Sequence, residues 1–562
     1  MRLARPAAAA GAALFAAGAA AATSFPLALA ITPAAVMSNI GTPGAVTPGI
    51  GTLGAVMPGA GSSGAVMPNI GTPGAVTPGI GTLGAVMPGA GSSGAVMPNI
   101  GTPGAVTPGA GTPAAGSRSA IVSIRPNLVH AFGAQSVPPT KAFCERKYKI
   151  ACYLPKQIQR AYRVPALLRR GIDGRGQTIV IVDSFGSPTV RRDLRVFDRA
   201  AGLPAPPSLR IVHPAGQVSR YRPTASREGW AGETNLDVEY AHTMAPRASI
   251  LVVATPTAEN EGTTGFPQIV RAEKYVIRHR LGSVISQSFS ATEQTFPSKK
   301  SLIGLRGAYT AAARRGVTVL AASGDSGAAD VKFNEFTYYR HRVTSWPGSD
   351  PLVTGVGGTQ LHLTARGRRL RPDTVWNDTF SAATNEFIVG DSGPNPLAAG
   401  GGKSVIFGRP GYQDEVAAVL GSHRGVPDIS MSGACNGAVD MYQSFRGQPA
   451  GWYPACGTSE ATPEFAGIVA LADQVAGQPL GAINPLLYRM SARHLPGITD
   501  VVSGTNSVSF RQHGRLRTVH GFRAGPGYDL ASGVGTVDAP LFVFELAKAA
   551  ASAAKARRAD SG

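Results

Sequence analysis

The segment Gly457-Thr458-Ser459 puts a serine where the chain enters an apolar stretch, Phe465 to Val475, which is expected to be helical. A hydroxyl at a helix N-terminus lies among backbone N–H groups and at the positive end of the helix dipole, a setting that stabilises an oxyanion. Such a serine can attack a carbonyl carbon, provided that something takes its proton. Far upstream, Gly232-Glu233-Thr234-Asn235-Leu236-Asp237 spaces two carboxylates four residues apart, which on a helix puts both on one face. Carboxylates held close share a proton instead of both ionising, so their titrations separate. Glu233 is thus a candidate base under acidic conditions, with Asp237 as its hydrogen-bonded partner. A Glu-x-x-x-Asp met alone is ordinarily a solvated helix face. Ser459 and a third segment, Ala322-Ser323-Gly324-Asp325-Ser326-Gly327, give it chemical meaning. On its own, Asp325 reads as an aspartate closing a glycine-flanked turn.

Tertiary structure must bring these three segments together. Short apolar or β-branched runs punctuate the chain: Thr178 to Val182, ending in Asp183, then Ile250 to Ala254, Gly282 to Ser286, Val317 to Ala321 and Leu352 to Val356. Between them lie helix candidates such as Glu233 to Met244 and Ser301 to Arg315, with a short one over Leu154 to Tyr162. The alternation predicts an α/β domain around a mostly parallel sheet. Asp325 then falls on a loop at the sheet's C-terminal edge.

The first fifth of the 562 residues could not build a core. Residues 1–30 read as a secretory signal peptide: Arg2 and Arg5, an Ala/Leu/Phe-rich stretch, then Ala28-Leu29-Ala30 as a small-x-small cleavage site. No other stretch supplies the roughly twenty apolar residues of a spanning helix. The mature protein is therefore expected to be secreted, soluble or associated with the cell wall, with no integral membrane span. Residues 31–116 are repetitive: Asn39-Ile40-Gly41-Thr42-Pro43 recurs from Asn69 and again from Asn99. Recurrent Pro and the lack of aromatic or charged residues predict a disordered stalk with nothing to pack. Residues 117–153 read as an extension or linker, residues 154–546 as the folded domain, and the Ala/Lys/Arg-rich residues 547–562 as a disordered tail.

Four cysteines in an exported chain favour disulfides. Of the three connectivities, pairing of sequence neighbours, Cys144 with Cys152 and Cys435 with Cys456, is the expected one. The net charge of +20 is spread along the chain. It implies attraction to anionic surfaces such as cell-wall polymers. A nucleic-acid binder would need a concentrated basic stripe or a known motif, and neither is present.

Together, the segments holding Glu233 and Asp237, Asp325, and Ser459 resemble those of the sedolisins. These serine-carboxyl peptidases have the subtilisin fold and use Glu where subtilisin uses His. The resemblance spans Leu154 to Leu546, about two-thirds of the chain. It implies a subtilisin-like three-layer domain, protein or peptide substrates, and a monomer. It also makes Asp325 the oxyanion residue, a task open only to a protonated carboxyl because a carboxylate has no proton to donate. Activity at acid pH follows. Ser286-Gln287-Ser288-Phe289-Ser290 resembles the edge strand that pairs with substrate backbone, which makes Ser288, Phe289 and Ser290 candidate substrate-binding residues. Thr499-Asp500-Val501 and Ala524-Gly525-Pro526-Gly527-Tyr528-Asp529 resemble the family's calcium site. There the carboxylates of Asp500 and Asp529 and the carbonyls of Val501, Gly525 and Gly527 would offer one Ca²⁺ the hard oxygens it prefers.

The expected activity is a secreted acid endopeptidase in which Ser459 attacks, Glu233 moves the proton, Asp237 orients Glu233 and Asp325 steadies the oxyanion. Two alternatives stand beside it. Asp183, His242 and Ser459 occur in subtilisin's order and could form a Ser-His-Asp set. A non-catalytic wall or adhesion protein with a degenerate peptidase fold is the other. Sedolisins also carry a long folded propeptide, for which the space before Leu154 is too short.

Overall fold

The computed structural model describes residues 129–130, 134–389 and 393–559. The signal and repeat readings, on residues 1–30 and 31–116, fall outside the described residues.

Strand Thr178–Ser184 lies inside an eight-stranded sheet, parallel to Ser249–Thr255 on one side and Val284–Gln287 on the other. Beyond Ser249–Thr255 lies Leu209–Val212; beyond Val284–Gln287 come Thr318–Ala322 and Thr354–Gln360. Ile429–Ser432 pairs parallel with Thr354–Gln360, and Thr374–Val375 adds an antiparallel edge. Continuous apolar runs form these strands because helices cover both faces of the sheet. Side chains alternate between two cores: Ile179, Ile181, Ile250 and Val252 face one, Val180, Val182, Leu251 and Val253 the other. The first core is closed by helices Val190–Ala201, Ala225–Met244, Thr458–Ala476 and Ala539–Ala559, the second by Phe266–Arg278 and Gly307–Arg315. This is the α/β architecture that the alternating pattern predicts.

Helices Ala225–Met244 and Thr458–Ala476 pack closely enough that Gly467 has no room for a side chain. A Cβ there would lie 2.4 Å from the Met244 Cβ and 3.0 Å from the Ala241 carbonyl oxygen. That closeness brings Glu233 and Ser459 to one level.

Four differences from the sequence reading have local causes. The Glu233 helix starts earlier, at Ala225, because the Thr224 side chain caps it by accepting from the Arg227 N–H. Ser301 to Arg315 divides into Lys299–Leu305 and Gly307–Arg315 at Arg306. Within the expected disordered tail, residues 547–559 are instead the second half of helix Ala539–Ala559, anchored by Phe542, Val543 and Leu546 in the first core. Part of the expected linker is also folded in. Helix Lys141–Tyr148 is tied by the Cys144–Cys152 disulfide to strand Cys152–Tyr153, which pairs with Ala438–Gln443. The second disulfide, Cys435–Cys456, joins the approach to that strand with the end of its neighbour Gly451–Cys456, immediately before Ser459. Both pairings are the expected ones.

Candidate active site

Ser459 lies in the first turn of helix Thr458–Ala476. The turn into the helix depends on Gly457, whose φ of 124° and ψ of 166° suit only a residue without a Cβ. Pro463 lacks the N–H that would pair with the Ser459 carbonyl four residues back. The freed carbonyl oxygen accepts from the Ser288 hydroxyl at 3.4 Å, and the same hydroxyl donates to Asp237 Oδ1 at 2.8 Å. Ser288 therefore bridges the nucleophile candidate and the acidic pair.

Glu233 and Asp237 sit on one face of helix Ala225–Met244, each 0% exposed. Burial pushes the pKa of Glu233 well up; the Ser459 hydroxyl opposes this, and the charges of Asp183 and Asp325 add to it. Neither Glu233 oxygen makes a close hydrogen bond, nor does Ser459 Oγ. Ser459 is nonetheless the neighbour that favours the ionised glutamate, and such contacts commonly tighten only around substrate. Asp237 is raised by burial and then by the charges of Asp183 and Glu233, against the Ser288 hydrogen bond. Asp183, at the end of its strand, is a third buried carboxylate, raised by burial to about 7. The sequence signal for it was present, a carboxylate ending a strand, but only the His242 alternative made use of it.

Asp325 follows strand Thr318–Ala322 and reaches the start of the Ser459 helix. Its Oδ1 accepts from both the Thr458 backbone N–H and the Thr458 hydroxyl, each at 2.7 Å. The Thr458 hydroxyl oxygen in turn accepts from the Gly324 N–H at 3.2 Å. Oδ2 is left without a partner. Burial raises the carboxyl to about 7, opposed by the two Thr458 hydrogen bonds. With Oδ1 committed as an acceptor, Oδ2 is the oxygen available to carry a proton. Spacing alone gives no hint of Thr458 in this role.

Two details differ from the sequence reading. Val284–Gln287 is an interior strand, not an edge; Ser288, Phe289 and Ser290 continue beyond its end with backbone unpaired to any described strand. Phe289 is 1% exposed and packs against Trp230 and Phe266, so its ring belongs to the core. His242, in the last turn of its helix, meets the Pro204 carbonyl at 2.8 Å and Asp198 at 3.3 Å. The Ser-His-Asp alternative loses its base.

At the far end of the chain, Gly527 N–H donates to Asp500 Oδ2 at 2.7 Å and Gly525 N–H to Asp529 Oδ2 at 3.1 Å. One turn thus joins both carboxylates, while Ser532 links Asp529 to the Val501 carbonyl. Two carboxylates and nearby carbonyls are a donor set that fits a hard cation. Among the described residues no three His, Cys, Asp or Glu side chains cluster as metal ligands.

The subtilase family profile matches residues 228–489, which hold Glu233, Asp237, Asp325 and Ser459. Kumamolisin of Bacillus sp. (strain MN-32) is 31% identical over 390 residues, covering 68% of this chain and 62% of that protein. Sedolisin of Pseudomonas sp. (strain 101) is 27% identical, covering 64% of this chain and 56% of that protein. Human tripeptidyl-peptidase 1 is 30% identical, covering 62% and 57% respectively. The chain thus spans roughly three-fifths of the length of these curated relatives. The solved structure of Pseudomonas sedolisin bound to pseudo-iodotyrostatin shares the fold, with a TM-score of 0.59 at 24% identity over 71% of this chain and 99% of that one.

Proposed function

Because this chain belongs to the sedolisin family, we propose that it is a serine-carboxyl endopeptidase that hydrolyses peptide bonds at acid pH. Ser459 Oγ attacks the carbonyl carbon while Glu233 takes the hydroxyl proton. The carbonyl electron pair moves onto oxygen, where the Asp325 Oδ2 proton and the Ser459 backbone N–H receive it. As the tetrahedral adduct collapses, the C–N bond breaks and Glu233 returns the proton to the leaving amine. Water then repeats the sequence on the acyl-serine, releasing the acid and restoring Ser459. Asp237 and Asp183 keep the base in a shared-proton cluster.

The observation that supports this reading is the division of labour at Asp325: Oδ1 is held by Thr458, at the start of the Ser459 helix, and Oδ2 has no partner. Asp325 donates only while protonated, so activity falls as pH rises through about 7. On the acid side, Asp183, Glu233 and Asp237 give up protons in steps that belong to the cluster, and the base exists once the first has left. A bell-shaped profile whose alkaline limb is set by Asp325 follows. The test is a pH–rate profile on denatured protein for wild type, Glu233→Gln and Ser459→Ala. A neutral optimum that survives Glu233→Gln would sink the carboxylate mechanism. Internal cleavage of an N-acetylated peptide is expected; tripeptide release from free N-termini alone would replace the endopeptidase mode.

A calcium ion held by Asp500, Asp529 and the carbonyls of Val501, Gly525 and Gly527 would brace the C-terminal loops. Removing it with EDTA is expected to lower Tm by about 5 °C or more, reversibly on adding calcium. Among the described residues no helix is long and apolar enough to cross a membrane. Export by the N-terminal signal is checked by a mature N-terminus following Ala30.

A further inference from the structure

The Ser459 helix carries a second acidic pair that the peptidase chemistry does not use. Glu460 and Glu464 are four residues apart and both 0% exposed. Neither oxygen of either carboxyl makes a close hydrogen bond. An ionised carboxylate in such a place is stripped of water, and only the Ser432 hydroxyl near Glu460 and the Arg369 charge near Glu464 oppose the loss.

The surroundings are poor in positive charge. Helix Ala225–Met244 contributes Tyr240, and the N-terminal segments contribute Tyr153 and Tyr162. The end of strand Ile429–Ser432 brings Ser432, and the oxyanion loop brings Asp325. On strand Ala438–Gln443, Asp440 is also 0% exposed with both carboxyl oxygens unpartnered. Asp183, Glu233 and Asp237 gather with Ser459 and Ser288. Strands Val284–Gln287, Thr318–Ala322 and Thr354–Gln360 carry no titratable side chain. Strand Gly451–Cys456 contributes Tyr453 and the disulfide-bonded Cys456. The C-terminal helix packs Phe542 on Phe465, and its Glu545 and Lys548 pair with each other. The cation that acts on Glu464 is Arg369, whose guanidinium is already bound to Asp373 through two hydrogen bonds.

We propose that Glu460 and Glu464 are positioning residues for Ser459 that fit the fold only as neutral carboxylic acids, so the nucleophile helix is seated at acid pH and loosens toward neutral pH. The nucleophile's part in this rests on the function proposed above; the seating of the helix does not. The sign follows from burial, which places both carboxyls well above the ordinary range. In the unfolded chain a glutamate ionises near about 4.3. The folded form therefore has its full advantage below that pH and loses it progressively as pH rises toward the folded values.

The test uses the full chain carrying Ser459→Ala, which removes self-digestion, with and without Glu460→Gln/Glu464→Gln. Amide-exchange protection across residues 458–476 and Tm are read at pH 4 and pH 7. At pH 7 the paired glutamines are expected to raise protection by about tenfold or more and to raise Tm; at pH 4 the two chains should match. The same pH dependence in both chains would overturn the proposal. Glu273→Gln is the control, since Glu273 is buried and unpartnered on helix Phe266–Arg278. It should raise Tm at pH 7 without protecting residues 458–476, and equal protection would remove the positional claim. Should the double variant not fold, Glu460→Gln and Glu464→Gln singly are each expected to give part of the shift, and none from either would end the proposal. If the chain with Ser459 restored proves inactive while protection shifts as expected, the peptidase reading falls and this one stands.

Discussion

Two helices of this protein each carry a pair of carboxylates four residues apart, all of them buried: Glu233 and Asp237 on one, Glu460 and Glu464 on the other. Spacing, helix and burial are alike, and the surroundings differ. The first pair has Ser459 beside it, a third carboxylate in Asp183 and a hydroxyl from Ser288 on Asp237. The second pair has the Ser432 hydroxyl near Glu460, no third carboxylate bonded to it and no uncommitted cation. Acidic pairs in a fold of this kind thus acquire their role from what faces them.

Several substitutions would break or sharpen that comparison. Ser459→Ala and Glu233→Gln should each lower kcat by about 10⁴-fold or more at the acid optimum. Glu464→Gln should lower it at pH 4 by roughly threefold at most, within the usual effect of a substitution away from the chemistry; an equal loss would erase the distinction between the pairs. Asp325→Ala should cost about 10²–10³ in kcat, as for loss of one oxyanion donor. Asp325→Asn keeps a donor at every pH, so the fall through about 7 should vanish from the profile.

Thr458→Val removes one of the two hydrogen bonds that favour ionised Asp325. The alkaline limb should therefore move above about 7 while kcat falls roughly tenfold. Thr458→Ser should restore both, which a merely structural threonine would not require. Around the first pair, the smallest effect is expected for Ser288→Ala. Losing its donor leaves ionised Asp237 less favoured, so the acid limb should shift upward with a loss of about threefold in kcat.

Much of the site could be read from short-range pattern. Gly-Thr-Ser before an apolar run marks Ser459, and a four-residue spacing marks Glu233 and Asp237, because the period of the helix itself aligns them. The parallel sheet followed from the alternation of runs. The strand before Ser288 was read as an edge because an apolar run looks alike at an edge or in the interior; neighbouring strands decide which. The tail from Ala547 looked frayed because its Ala and Lys content hides Phe542, Val543 and Leu546, which anchor the preceding turns. Glu460 and Glu464 gave no signal of burial, since polar residues on a helix ordinarily face water.

Sequence alone singled out the candidate groups Glu233, Asp237, Asp325 and Ser459 and the order of the elements that carry them. Only the tertiary structure decided that Thr458 holds one oxygen of Asp325, that Ser288 joins Asp237 to the Ser459 carbonyl, that His242 turns to Asp198, and that the second pair is sealed from solvent. The reason is physical. Side-chain chemistry and helical spacing are local properties, whereas desolvation and hydrogen-bond partnership depend on atoms far away along the chain, as between Asp325 and Thr458.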